Sequence, residues 1–166
     1  QLPVLLYQGS AKYTALCSHP WFFHQPHQIH TVSWKRHKVI VGRLVPSNGE
    51  LDVKPGEGYR VMTNTRILYP GEINTESYIT LGIFDTETEA LNFNTYIKGK
   101  LPRFLLRQAV SSVNINREVF KFVPRLDFTQ PWTDEILYKK YGLTEEEIQY
   151  VETLIRNYDE GDEDGK

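Results

Sequence analysis

The residue pattern predicts an α+β fold: a curved, mostly antiparallel sheet with helices and a C-terminal helical extension. Three observations carry that expectation. Short runs rich in β-branched and aromatic residues, punctuated by Gly, Pro and Asn, fill the first half of the chain. Two stretches with capping-box spacing, Thr86-Glu87-Thr88-Glu89 and Thr144-Glu145-Glu146-Glu147, open helices in the second half. Residues 78–84 and 119–123 read as apolar strands that frame a pair of helices and a polar loop.

In chain order, residues 2–7 read as a short strand. Residues 17–30 hold His19, His24, His27 and His30 among Trp21, Phe22, Phe23, Pro20 and Pro26, and the prolines rule out a regular helix, leaving an aromatic loop. Residues 31–34 and 38–45 read as strands joined at Lys35-Arg36-His37. Pro46-Ser47-Asn48-Gly49 signals a turn, and an exposed loop runs on through Gly58. Residues 59–62 and 66–69 read as further strands, and Pro70-Gly71 breaks the run before the strand at Tyr78.

Ala90, Phe93, Ile97 and Leu101 recur at helical intervals behind Thr86, with Asp85 a rival N-cap. Gly99 weakens that helix, and Pro102 is expected to begin another over residues 103–109, since proline suits the first helical position. Thr133-Asp134-Glu135 starts a third helix that ends near Gly142. Leu143 and Ile148 stand at hydrophobic-staple positions around the fourth, whose buried stripe is Ile148, Val151 and Ile155. The acidic, Gly-rich residues 159–166 are expected to be disordered. The organisation is thus a body over 1–127, a helical extension over 128–158 and a tail over 159–166.

The chain of 166 residues is long enough for one good core, and its 40% hydrophobic content is that of a folded domain. No apolar run approaches the roughly 20 residues that span a bilayer, so no membrane partner is expected. No basic-then-apolar leader opens the sequence, and the lone Cys17 fits a reducing cytosol. The start at Gln1, with Met62 the sole methionine, reads as a piece of a larger protein. The net charge of -2 conceals an asymmetry: residues 1–127 carry 15 Lys/Arg against 10 Asp/Glu, and residues 128–166 carry 4 against 11.

Seven cations but one acid, Glu118, lie between Lys98 and Arg125. Lys98, Lys100, Arg103 and Arg107 cluster at the helix junction, where they could span successive phosphates, or equally be solvated surface charges. Asn114, Asn116 and Arg117 in the following polar loop are residue types that read adenine and guanine edges. Trp34, Lys35, Arg36, His37, Lys38 and Arg43 interleave cations with an aromatic, suiting backbone contact or base stacking; a hairpin with a charged tip is the plain alternative. The histidine group near Cys17 has no recognised ligand spacing. Phosphate-cradling glycine loops and Gly-flanked nucleophiles are absent from the sequence, and the acidic pairs sit where helix caps explain them. The residues point to a binding module rather than an enzyme.

Two further stretches carry a family likeness. They are Val119-Phe120-Lys121-Phe122-Val123-Pro124-Arg125-Leu126-Asp127-Phe128, and Trp132-Thr133-Asp134-Glu135 continuing through Tyr141-Gly142-Leu143-Thr144-Glu145-Glu146-Glu147-Ile148. With the stretch around residues 75–85, they resemble the C-terminal part of adenine-specific DNA methyltransferases of bacterial type II restriction-modification systems. The resemblance spans residues 75–157, and residues 1–60 match the family poorly, as expected of a part that varies with the target site. It implies a bacterial, cytoplasmic parent that methylates adenine with S-adenosylmethionine, while this part chooses the double-stranded DNA sequence. The family's [N/D]-P-P-[Y/F] motif is absent, so no cofactor or catalytic residue is expected here. The resemblance places DNA contacts near Arg103, Asn114, Asn116 and Arg117. The acidic helical extension should avoid phosphate and pack on the sheet's back or on the parent's methyltransferase domain. Two rival expectations are a protein-docking scaffold and a metal-dependent hydrolase built on the four histidines.

Overall fold

The computed structural model describes residues 33–44, 58–110 and 115–158. Its sheet has three antiparallel strands, β1 (His37–Gly42), β2 (Thr65–Leu68) and β3 (Tyr78–Phe84), in the order β2-β1-β3. The sheet is open, and with the helices it makes an α+β fold. Central β1 is buried through Lys38, Val39, Ile40 and Val41, which suits its β-branched run. A bulge opposite Val39 and Ile40 shifts the register on β3, so that Ile79 pairs with Val41 and Gly82 with Val39. One face of the sheet thereby presents Val39, Val41, Ile79 and Leu81 to the core.

Helix α1 (Glu87–Lys98) packs on all three strands through Ala90, Phe93, Tyr96 and Ile97. Its N-terminus is the reciprocal Thr86–Glu89 capping box, not an Asp85 cap. Phe84, Phe93, Tyr96 and Phe128 form an aromatic cluster with centroid spacings of 5.0 to 6.3 Å. The Tyr96 hydroxyl donates to the Pro124 carbonyl at 2.6 Å, and burial pushes its pKa well up, so the phenol stays protonated.

Helix α2 (Lys100–Ala109) begins two residues before Pro102, and the reason is long-range. Asp134 accepts from the backbone N–H groups of Lys100 at 2.7 Å and Leu101 at 2.9 Å, capping α2 from a distant part of the chain. Pro102 then sits third in the helix, where its missing N–H is still one that no helical carbonyl would have received. Gly99 has no room for a side chain: a Cβ there would lie 2.9 Å from Asp134 Oδ1 and 3.0 Å from the Tyr96 carbonyl.

Residues 119–123 are not a strand. Arg117–Phe122 form a 3-10 helix capped by Asn116, whose Oδ1 accepts from the N–H groups of Glu118 and Val119. Lys121 pairs with Glu118 one such turn away. Phe120 enters the core while Phe122 stays exposed, so the apolar alternation is only half used. The strand expected over 31–34 is, in its described part, a 3-10 turn, Ser33–Lys35. The strand expected over 59–62 reduces to one parallel bridge, Tyr59 to Ile155.

The acidic extension supplies α3 (Asp134–Tyr141) and α4 (Glu145–Leu154). Thr133 and the Thr144–Glu147 capping box start these helices. They pack on α2, with Phe104 against Tyr150 edge to face at 6.0 Å. Leu137, Tyr138, Val151 and Ile155 belong to the same core as Val39 and Val41. The chain then returns to the body: Tyr59 N–H donates to the Leu154 carbonyl at 2.7 Å, and Arg156 N–H to the Tyr59 carbonyl at 3.2 Å. Gly58 is left-handed at φ +71, and a Cβ there would meet Arg156 N at 2.8 Å, so both conformation and space demand glycine. Residues 1–32 and the tail at 159–166 lie outside the described residues.

Candidate nucleic-acid interface

The helical cations face inward. Arg103 is 2% exposed, and its Nε donates to the carbonyls of Lys98 at 2.8 Å and Gly99 at 3.1 Å. These are terminal carbonyls of α1, and a guanidinium suits that negative helix end. Its other side lies 5.5 Å from the Tyr158 ring centroid. Arg103 is therefore a clamp on the α1–α2 junction and not a phosphate contact. It and Asp134 cap the two facing helix ends at Gly99 with charges of opposite sign.

The neighbouring cations are also engaged. Lys98 Nζ lies 5.0 Å from the Tyr158 ring centroid. Lys100 Nζ binds Glu152 Oε2 at 2.6 Å and the Glu152 carbonyl at 3.1 Å. The Arg107 guanidinium lies 4.5 Å from the Tyr59 ring centroid, with its Nε buried and without a hydrogen-bond partner. Arg103 and Arg107 share the expected helix face, but that face is turned to the Tyr59 and Tyr158 rings. Glu152 also accepts from the Tyr138 hydroxyl at 2.8 Å. Partial burial pushes the Glu152 carboxyl up, but the hydrogen bonds from Lys100 and Tyr138 and the Lys100 charge outweigh this and hold its pKa below the ordinary value. Burial, then the bond to Glu152, pushes the Tyr138 phenol far up.

The patch expected around Trp34 is divided by β1. Trp34, Lys35 and Arg36 lie at its start and Arg43 just past its end, with the six-residue strand, about 17 Å long at strand rise, between them. Lys38, between them, is 5% exposed and donates to the Glu72 carbonyl at 2.6 Å, so it too is corrected to a structural cation. Trp34 is 50% exposed with Lys35 Nζ 5.7 Å from its ring centroid, and Arg36 pairs with Asp85 at 2.9 Å. Beside them Gly71 N–H donates to the Trp34 carbonyl, and Tyr69 binds Glu72 and Glu87. Acids thus stand among the cations at this end.

At the other end one hydrogen bond joins two predicted groups. Ile115 N–H donates to the Arg43 carbonyl at 2.7 Å, bringing Arg43 beside Asn116 and Arg117. Arg43 and Arg117 are both exposed. Asn116 spends Oδ1 on two backbone donors, which leaves no amide oxygen for a bidentate adenine contact; it positions Arg117 instead. Asn114, Cys17 and the four histidines of the metal expectation lie outside the described residues. Among the described residues, no three His, Cys, Asp or Glu side chains gather as metal ligands would. No described helix is long and apolar enough to cross a membrane.

Sequence reasoning missed Tyr59, Tyr158 and Asp134, which between them engage Lys98, Arg103, Arg107 and the start of α2. Their partners are more than 30 residues away in sequence, so spacing gives no sign of them. The family-like stretch is structural where it is described: Asp134 caps α2, Phe128 joins the aromatic cluster, and Trp132 Nε1 donates to the Asp127 carbonyl at 2.8 Å. Asp127 in turn accepts from Thr129 N–H and Oγ1, which lowers its pKa. A scan against protein-family models and searches of curated proteins and solved structures find no match to this chain.

Proposed function

We propose that the chain is a DNA target-recognition domain of a restriction-modification adenine methyltransferase, with its duplex-facing surface at the Arg43–Arg117 end of the sheet. The observation that carries this reading is the Ile115 to Arg43 hydrogen bond, which gathers exposed cations from two distant segments beside a capped loop. Arg43 and Arg117 then serve as phosphate or base contacts, and Asn116 holds the turn that presents Arg117. Trp34 and Lys35 form a second, weaker contact region about one strand length away. The methyl transfer, its S-adenosylmethionine and the catalytic motif belong to the parent's methyltransferase domain. The inward turn of Lys100 and Arg103 favours a second reading, a protein-docking domain whose interface is the acidic α3–α4 pair.

The test is binding of a fluorescent duplex pool of randomised sequence across a salt series. Each phosphate contact contributes about 0.9 to the log–log salt slope, so Arg43→Ala with Arg117→Ala should flatten it by about 2. Absence of duplex binding at low salt, or an unchanged slope in the double variant, rejects the DNA reading. DNA-independent co-purification with a methyltransferase domain supports the docking reading.

A further inference from the structure

The two edges of the sheet are finished differently. Just past β1 the Arg43 N–H donates to the Ser77 carbonyl at 3.1 Å. Alternation along the ladders then turns the backbone groups of Thr65 on β2, and of Tyr78, Thr80 and Ile83 on β3, away from β1. On the β2 side, Thr65 N–H donates to the Tyr158 hydroxyl at 2.9 Å, and Tyr69 N–H, just past the strand, donates to Glu72 Oε2 at 2.6 Å. On the β3 side, Tyr78 N–H donates to the Thr75 carbonyl at 3.2 Å, but among the described residues nothing accepts from Thr80 or Ile83. Residues 77–84 also hold no charge and no proline, the usual guards of an edge.

We propose that β3 is a dimer edge: two copies of this chain join β3 to β3 across a two-fold axis and make one six-stranded antiparallel sheet. The bulge does not prevent this. Thr80 and Ile83 stand opposite Ile40 and Lys38, two residues apart on β1, so their outward groups keep an ordinary ladder spacing of about 6.7 Å. A second β3 presents the same spacing. Thr80 therefore pairs with Ile83 of the other copy, and Ile83 with its Thr80. Both side chains are half-buried and lie on the sheet face away from α1, since Val39, Val41, Ile79 and Leu81 take the core face. Charge complementarity favours a second copy over a foreign strand. The pairing sets Asp85, 71% exposed and engaged by Arg36 through Oδ1, opposite Tyr78 of the other copy and so near its exposed Arg43. Arg43 and the exposed Glu76 of one copy then meet Asp85 and Arg36 of the other, with opposite charges at both ends.

The experiment starts with the unaltered chain. Sedimentation equilibrium from about 5 to about 500 μM spans the affinity of an interface smaller than the roughly 1,600 Å² standard, and the mass should pass from one chain to two. Over the same range, amide hydrogen exchange should slow about 10-fold or more at Thr80 and Ile83, while Thr65, already bonded to Tyr158, keeps its rate. Thr80→Lys puts a charge on the edge and should weaken the dimer about 10-fold or more with far-UV circular dichroism unchanged. A single chain at every concentration overturns the proposal and leaves the edge to a strand of another protein. A dimer whose Thr80 and Ile83 amides exchange unslowed overturns it too, because the copies then meet elsewhere, and so does a folded Thr80→Lys variant that dimerises as before. If Thr80→Lys unfolds, the exchange comparison on the unaltered chain decides. No nucleic acid enters this experiment, so its outcome is read separately from that of the duplex salt series.

Discussion

Replacing Arg103 by Met separates a structural guanidinium from a DNA-binding one. Met keeps much of the apolar stem and removes the donors. The loss comprises a charged hydrogen bond shared between the Lys98 and Gly99 carbonyls, in a class worth about 1.5 to 3 kcal/mol. To this is added the stacking on Tyr158, worth about 0.5 to 2 kcal/mol by burial. These overlap on one side chain, so the expected destabilisation is about 3 kcal/mol, and Arg103→Lys recovers only part of it because an ammonium lacks the planar fork. At this chain length the melting temperature should fall by roughly 6 to 12 °C. The assay is urea unfolding followed by far-UV circular dichroism, together with the duplex salt series at a temperature where the variant is folded. A stability change below about 0.5 kcal/mol, joined to a salt slope reduced by about 1, would refute the burial argument and return Arg103 to the phosphate-facing surface.

The companion cap should respond in kind. Asp134→Ala strips two backbone donors of their acceptor and should cost about 2 kcal/mol in urea unfolding, while Glu135→Ala beside it should change little; equal effects would reject the long-range cap. Glu152 governs a pH effect. Its folded pKa lies below the unfolded value near 4.3, so its contribution is fully present above that pH and fades as pH falls through the folded pKa. The side chain is 42% exposed, so screening keeps the effect below about 1 kcal/mol. Unfolding of Glu152→Gln from pH 6 down to about 3 should show a shallower loss than the unaltered chain, and identical pH profiles would remove Glu152 from the account.

What the sequence disclosed was local. Thr86–Glu89 and Thr144–Glu147 were readable because a capping box closes within four residues. The β-branched run around Val39 marked β1 for a similar reason. Pro102 misplaced the start of α2 because the decisive cap, Asp134, lies 34 residues on. Residues 119–123 alternate as a strand would, but Asn116 and the Glu118–Lys121 pair hold them in a 3-10 turn. The candidate site failed in the same manner. Nothing beside Arg103 in the sequence states that an aromatic ring from residue 158 will cover it, whereas Arg43 and Arg117 stay exposed as polar-loop cations usually do.

The bridge between Tyr59 and Ile155 also sets an order of events during synthesis. Helix α2 leaves the ribosome before Asp134 exists to cap it, and the segment around Tyr59 waits until residue 155 has emerged. Such distant closures are entropically slow, so a nascent chain halted near residue 130 would present the Phe104 surface of α2 without the α3–α4 helices that cover it. Completion of the body therefore waits on the segment around residue 155, and truncations upstream of it should accumulate as aggregates instead of shorter domains.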